Sequence, residues 1–368
     1  MCLVTRSLVA LLICCATGTA AELPRLPRDN LLLFHDAQGE QQTVTTLAQW
    51  QLRRDEIVRG MEAVMGTLPG DEKRVPFDVK IEEEFDGGSY VRQLIVYTSE
   101  PNCRTPAYLL IPKAVLAGKH KSPAVLCLHE TDFEVGHGVV VGIGQHKQRA
   151  IANDLAERGY VVFAPNYPLM AKYQPDLKAL GWDSGTLKAV WDNLRGLDYL
   201  ESLPYVDGKQ FAAIGHSLGG HNSVYTAVFD KRITAIVSSC GLDAYVDYYG
   251  GDPQRWQPEQ GWCCTRYMLK LTRYQGRLAD IPFDFQEMIG ALAPRQMLII
   301  APTMDANFRA ESVDRVAKAA RQIYQLYGVP DHLRVLHPEA QHDFPAEMRQ
   351  EAYQLFDAVL RDKKPSDK

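Results

Sequence analysis

Beyond Lys121, short apolar runs alternate with helix-length amphipathic segments, and no other feature constrains the fold as much. The runs are AVLCLHE (124–130), YVVFAPNYP (160–168), FAAIGHS (211–217), ITAIVSSCG (233–241), QMLIIAPT (296–303) and LRVLHPE (333–339). Helical patterns lie near 145–158, 185–203, 219–229, 311–327 and 345–362. Strand-length apolar runs separated by helices mark parallel strands buried on both faces. Right-handed crossovers then wind them into one sheet covered by helices on each side. Upstream, FDVKIEEEF, YVRQLIVYT and AYLLIPK read as strands, with Asp86-Gly87-Gly88 as a hairpin turn between the first two. The expected class is α/β: a mostly parallel central sheet with antiparallel N-terminal strands.

Three further segments organise the chain. Residues 1–21 have one basic residue, Arg6, then an apolar run from Ser7 to Cys15, then small residues. That order predicts a signal peptide cleaved near Ala20 or Ala21, hence a secreted or periplasmic protein. The run is too short to cross a membrane, and no second membrane-length stretch follows. Residues 22–75 form an N-terminal helical arm around TLAQWQLRRDEIVRGMEAVMG. The main body is residues 76–368, interrupted at about 244–290 by a segment rich in Tyr, Trp, Gly and Pro. The net charge of −5 comes with no basic run, which disfavours nucleic acid as a partner. Without the leader the cysteines are Cys103, Cys127, Cys240, Cys263 and Cys264, an odd number that leaves at least one unpaired. Cys127 and Cys240 lie in apolar runs and read as small core residues. Adjacent Cys263 and Cys264 offer a vicinal disulfide. No Cys/His spacing matches a zinc site, and no metal or cofactor is expected.

The chemistry concentrates at FAAIGHSLGGHNSVY (211–225). With 27 glycines in the chain, Gly215-His216-Ser217-Leu218-Gly219 can arise by chance, so its context must carry the reading. Parallel α/β sheets place their sites at the carboxyl ends of the strands, and Ser217 sits between a strand and a helix there. A nucleophile on such a turn has a strained backbone and tolerates only small residues two positions either side. The helix N-terminus offers N–H groups to a developing oxyanion, the first being that of Leu218.

Serine needs a base, and the base an orienting acid. On a strand–turn–helix nucleophile site these follow later in the chain, acid before histidine. QMLIIAPTMDANF places Asp305 past one strand, and LRVLHPEAQHDFP places His342 in the loop after the last. Asp243 is the runner-up acid and His337 the runner-up base, with Pro338 directly after it. Asp343 lies too close to His342 to serve it. His216 and His221 read as structural. A second oxyanion donor should come from CLHETDFEVGHG: the N–H of Thr131, or of Glu130. His129 would tie that loop down, and Glu130 is either a pocket group or a surface ion pair. Tyr245, Tyr248 and Trp256 of the insertion are candidates to line the pocket.

In the order LHETD, GHSLGG, APTMD, QHDFP, these motifs resemble the α/β-hydrolase superfamily, in its dienelactone-hydrolase-like and acetyl xylan esterase-like branch, over about residues 75–362. The chain departs from dienelactone hydrolases in having Ser217 in place of cysteine, which favours an ordinary ester. It also has His129-Glu130 where the usual pair is His-Gly. The resemblance implies a serine carboxylic-ester hydrolase acting through Ser217, Asp305 and His342 without a cofactor. Its substrate would be a small-molecule or carbohydrate ester, such as an acyl or aryl ester of a polysaccharide. A serine peptidase of the same fold and a non-catalytic binding protein are the alternatives. Ester against amide turnover separates the first, and reaction with a serine-directed phosphonate the second.

Overall fold

The computed structural model describes residues 24–118 and 120–361, so the expected signal peptide lies outside the described residues. The arm opens with a small antiparallel pair, β1 (Leu33–His35) and β2 (Gln41–Thr43), then helix α1 (Leu47–Met65). Thr46 caps α1 in a capping box with Gln49, which satisfies N–H groups that have no partner inside the helix. The sequence gives no sign of the hairpin, because Gln41–Thr43 has no apolar face to alternate. Trp50, Ile57 and Met61 of α1 are buried in the main core.

The central sheet has nine strands in the order β11-β10-β9-β8-β6-β7-β5-β4-β3. Strands β3 (Lys80–Asp86), β4 (Tyr90–Glu100) and β5 (Cys103–Pro112) form the antiparallel edge. The short helix α2 (Lys113–Leu116) leads to β6 (Ser122–Leu128), and α3 (Ile151–Glu157) to β7 (Val161–Pro165). Helix α4 (Gly185–Ser202) precedes β8 (Val206–His216), α5 (Leu218–Phe229) precedes β9 (Ile233–Ser239), and α6 (Phe285–Leu292) precedes β10 (Gln296–Ile300). Helix α7 (Ala310–Leu326), strand β11 (Leu333–Leu336) and helix α8 (Ala346–Phe356) complete the fold. Strands β6 to β11 pair in parallel, and β5 meets β7 antiparallel. The α/β class expected from the alternating runs is the one observed.

Why the strands read as unbroken apolar runs is plain from their two faces. Side chains alternate across a strand, so each run must fill two cores. Leu126, Ala213, Ile236 and Ile299 join the core beneath α1 and α4–α7. Their neighbours Val125, Ala212, Val237 and Leu298 join a second core with residues of α3 and α8. Between β9 and α6 the chain makes short 3₁₀ turns. The cysteines Cys103, Cys127, Cys240, Cys263 and Cys264 are all buried and free, so Cys263 and Cys264 form no vicinal bridge. Among the described residues, no helix is long and apolar enough to cross a membrane.

Candidate active site

Ser217 occupies the sharp turn between β8 and α5, with φ 53° and ψ −120°. A non-glycine residue there is strained. The turn is held by the Ser217 N–H, which donates to the Ser239 carbonyl at 2.8 Å. Its closeness explains the glycines. A Cβ on Gly219 would lie 2.0 Å from the Leu128 carbonyl oxygen, and one on Gly215 would lie 2.3 Å from the Gly219 backbone.

Two loops from later strand ends complete a hydrogen-bonded chain. The Ser217 hydroxyl donates to His342 Nε2 at 2.9 Å. His342 Nδ1 donates to Asp305 Oδ2 at 2.8 Å. Asp305 Oδ1 accepts the Asn307 N–H at 2.8 Å and the Phe308 N–H at 3.3 Å, which fixes the carboxylate. The Asp305 side chain has no exposure, whereas that of His342 is 25 % exposed. A buried acid that orients a partly open imidazole is the arrangement a serine nucleophile requires.

The rival residues are engaged elsewhere. Asp243 Oδ2 accepts the Arg309 N–H at 3.2 Å, and burial pushes its carboxyl up to about 8. His337 lies 2.8 Å from the Ala301 carbonyl through Nδ1 and 3.0 Å from Asp314 through Nε2. His216 packs beside the His342 ring at 4.9 Å, and burial holds its imidazole neutral. His221 stacks on Trp262 at 4.1 Å, and burial pushes it down to about 3.

The loop after β6 is tied down from within. Tyr167 N–H donates to His129 Nε2 at 2.9 Å, so that nitrogen carries no proton. Nδ1 therefore holds the proton and donates to the Glu130 carbonyl at 2.6 Å. Burial supports this neutral form, pushing the imidazole down to about 4. In a trans peptide the C=O and N–H point opposite ways. Anchoring the Glu130 carbonyl thus turns the Thr131 N–H away from His129. The Thr131 hydroxyl itself meets Tyr267 Oη at 3.1 Å.

Further side chains frame the site. Glu130 pairs with Arg149, which also reaches Asp343 at 3.5 Å. This ionic strap joins the β6 loop to the loop that carries His342. An aromatic wall also runs from His342 through Phe308 and Trp262 to Tyr267. Tyr248 touches both Phe308 and Trp262. Tyr245 and Trp256 require correction as pocket candidates: each is 1 % exposed, packed edge-to-face in the interior. Tyr245 is held there by a hydrogen bond to Tyr225. Composition flagged the aromatic segment, but only the packing tells wall from core. Arg149 falls in the segment read as helical near 145–158, where it was not singled out, and the structure places it just before α3, which starts at Ile151.

Comparison with known proteins narrows the resemblance read from the motifs. The family described as glucuronyl esterase, fungi, matches residues 111–328. The 4-O-methyl-glucuronoyl methylesterase 1 of Wolfiporia cocos is 25 % identical over 365 residues, spanning 94 % of this chain and 85 % of that protein. In fold, a glucuronoyl esterase from Solibacter usitatus superposes with a TM-score of 0.70 at 19 % identity, covering 92 % of this chain and 99 % of that one. Acetyl xylan esterase 1 from a Thermoanaerobacterium species superposes with a TM-score of 0.53 at 16 % identity, covering 82 % of this chain and 91 % of that one. With more than half its length matched, the chain belongs to the glucuronyl esterase family, serine esterases of the α/β-hydrolase superfamily.

Proposed function

We propose that the protein hydrolyses esters of a glucuronic acid carboxyl group through a covalent acyl-enzyme. The observation that carries this reading is the hydrogen-bonded chain Ser217–His342–Asp305 at the ends of the parallel strands β8, β11 and β10, in a member of this family. Ser217 Oγ attacks the ester carbonyl while His342 Nε2 takes its proton. His342 then gives that proton to the leaving alcohol as the carbonyl–alcohol bond breaks. Water, deprotonated by the same imidazole, attacks the acyl-enzyme and releases the uronic acid. Asp305 keeps the Nδ1 proton in place and stabilises the imidazolium. The Leu218 N–H opens α5 and has no carbonyl ahead of it in the helix, which supports it as one oxyanion donor. The anchored Glu130 carbonyl supports Thr131 N–H over that of Glu130 as the second. In this reading the sugar supplies the acid of the ester, whereas in polysaccharide deacylation it supplies the alcohol.

The test compares the methyl ester of glucuronic acid with p-nitrophenyl acetate, using the protein and Ser217→Ala. The uronate ester should be turned over with the higher kcat/KM. Ser217→Ala should lower kcat by roughly 10⁶, as loss of a catalytic serine does elsewhere. Turnover of the acetate alone would replace the uronate reading with an acetyl esterase. Equal rates in both proteins would remove Ser217 from the mechanism.

A further inference from the structure

Strands β9, β10 and β11 are parallel neighbours, and each releases the chain at the same end of the sheet. Cys240 follows β9 directly, Asp305 lies in the loop after β10, and His342 in the loop after β11. Far apart in sequence, they present a sulfur, a carboxylate oxygen and an imidazole nitrogen, all within 4.8 Å of one another. Among the described residues, no other group of His, Cys, Asp and Glu brings three such donors together. The Cys240 thiol is held in place, its Sγ 3.2 Å from the Asp343 carbonyl oxygen. The nitrogen facing Asp305 is Nδ1, at 2.8 Å.

We propose that Cys240, Asp305 and His342 form an inhibitory site for a thiophilic divalent cation such as zinc. Thiolate, carboxylate and imidazole are all ordinary zinc ligands, and tetrahedral bonds to them separate the donors by roughly 3–4 Å. Shifts of about an ångström therefore bring this trio to bonding distance, with water in the fourth position. Thiolate and carboxylate together neutralise the dication, which suits a dry site. Cys240 is 2 % exposed, and the Asp305 side chain is fully buried.

Inhibition, though not binding, rests on His342 acting as the base. A metal on Nδ1 displaces the proton that Asp305 accepts. The neutral ring then carries its proton on Nε2 and has no lone pair for Ser217. The thiol proton leaves to water as the thiolate binds. Because Cys240 and the Asp305 side chain are buried, inhibition should develop slowly and reverse with a chelator.

The experiment reads binding and activity separately on the full mature protein. Cobalt added to the metal-free protein should give a thiolate-to-cobalt charge-transfer band, absent from Cys240→Ser and Cys240→Ala. Zinc should progressively stop ester turnover. The zinc concentration for half-inhibition, taken against each variant's own uninhibited rate, should rise at least about tenfold in Cys240→Ser. Even loss of a group outside the ligand set costs metal affinity about 10–100-fold. No band, or a band that persists in both variants, overturns the proposal, the second outcome assigning the metal to other thiols. A Cys240-dependent band with undiminished turnover upholds the metal site and counts against His342 as base. Should no ester be turned over at all, the cobalt band still decides the site.

Discussion

His129 shows how one side chain sets the state of a site it does not enter. Its Nε2 accepts from the Tyr167 N–H, which forces the proton onto Nδ1, from where it is donated in a hydrogen bond to the Glu130 carbonyl. That carbonyl fixes the direction of the next N–H. Replacing His129 with Ala should free the Glu130–Thr131 peptide to rotate and misplace the proposed second oxyanion donor. The expected loss is about 10²–10³ in kcat, the effect of removing one such donor, with KM little changed. Steady-state kinetics beside a folded-state check by circular dichroism would measure it, and an unchanged kcat would remove Thr131 from the oxyanion hole. At this scale much was legible in the sequence. Gly215 and Gly219 announced the close approach of strand and helix, and the strained Ser217 followed from it. Asp305 and His342 were legible because each follows a recognisable strand. The choice against Asp243 and His337 was not settled by pattern. It depends on side-chain direction, and both runners-up turn to partners away from Ser217.

At the scale of elements, the ionic strap answers the question raised by His129-Glu130. Where the usual pair is His-Gly, this chain carries a carboxylate, and the structure pairs it with Arg149, beside Asp343. The loop after β6 and the loop after β11 are thereby cross-linked on one side of Ser217. Their side chains are only 9 % and 17 % exposed for Glu130 and Arg149, so cutting one partner leaves a poorly solvated charge. Arg149→Met should destabilise the fold by about 2–3 kcal/mol. The double variant Glu130→Gln/Arg149→Met should recover most of that loss, because neither charge is then left alone. Urea unfolding of the four proteins tests the coupling, and additive losses would show that the strap is not a unit. The strap was illegible in the sequence because pairing Arg149 with Glu130 and Asp343 joins segments far apart in the chain, which no local periodicity reports. The parallel strands were legible because burial on both faces fills their central stretches with consecutive apolar residues, as in Phe211–Ile214 of β8. The aromatic insertion falls between the two cases. Its composition marked a packed segment, yet Tyr245 and Trp256 face the interior while Trp262 and Tyr248 join the wall.

On the scale of the whole molecule, the sheet, the insertion and the arm converge on buried carboxylates. Asp243, at the end of β9, lies near Asp247 of the insertion, Asp284 at the start of α6 and Asp305 after β10. The arm contributes Arg28, paired with Asp284 at 2.7 Å. Burial pushes Asp284 up to about 6 and Asp243 up to about 8. Each then holds a proton in the folded state that it loses near 3.8 when unfolded. Stability falls with rising pH wherever the folded state binds more protons, so these groups oppose the fold from about pH 4 upward. Buried His129, His137 and His221 act in the opposite sense. They are held neutral down to about 4, about 3 and about 3, and so add stability as pH rises to 6.5. Between pH 6.5 and 8 the unfolded-state histidines shed their remaining protons and Asp284 has largely ionised, effects common to the protein and to a variant of Asp243, so the proton of Asp243 is what distinguishes the two. Relative to a variant without that carboxyl, the protein should therefore lose on the order of 1–2 kcal/mol across that window, since one proton shifts stability by about 1.4 kcal/mol per pH unit. Asp243→Asn keeps an acceptor for the Arg309 N–H but cannot ionise, so its stability should rise against that of the parent protein by that amount. Urea midpoints at pH 6.5, 7.25 and 8 for both proteins decide the matter. Parallel slopes would mean that Asp243 is already ionised in the fold, and that water or a rearranged neighbour solvates it at the end of β9.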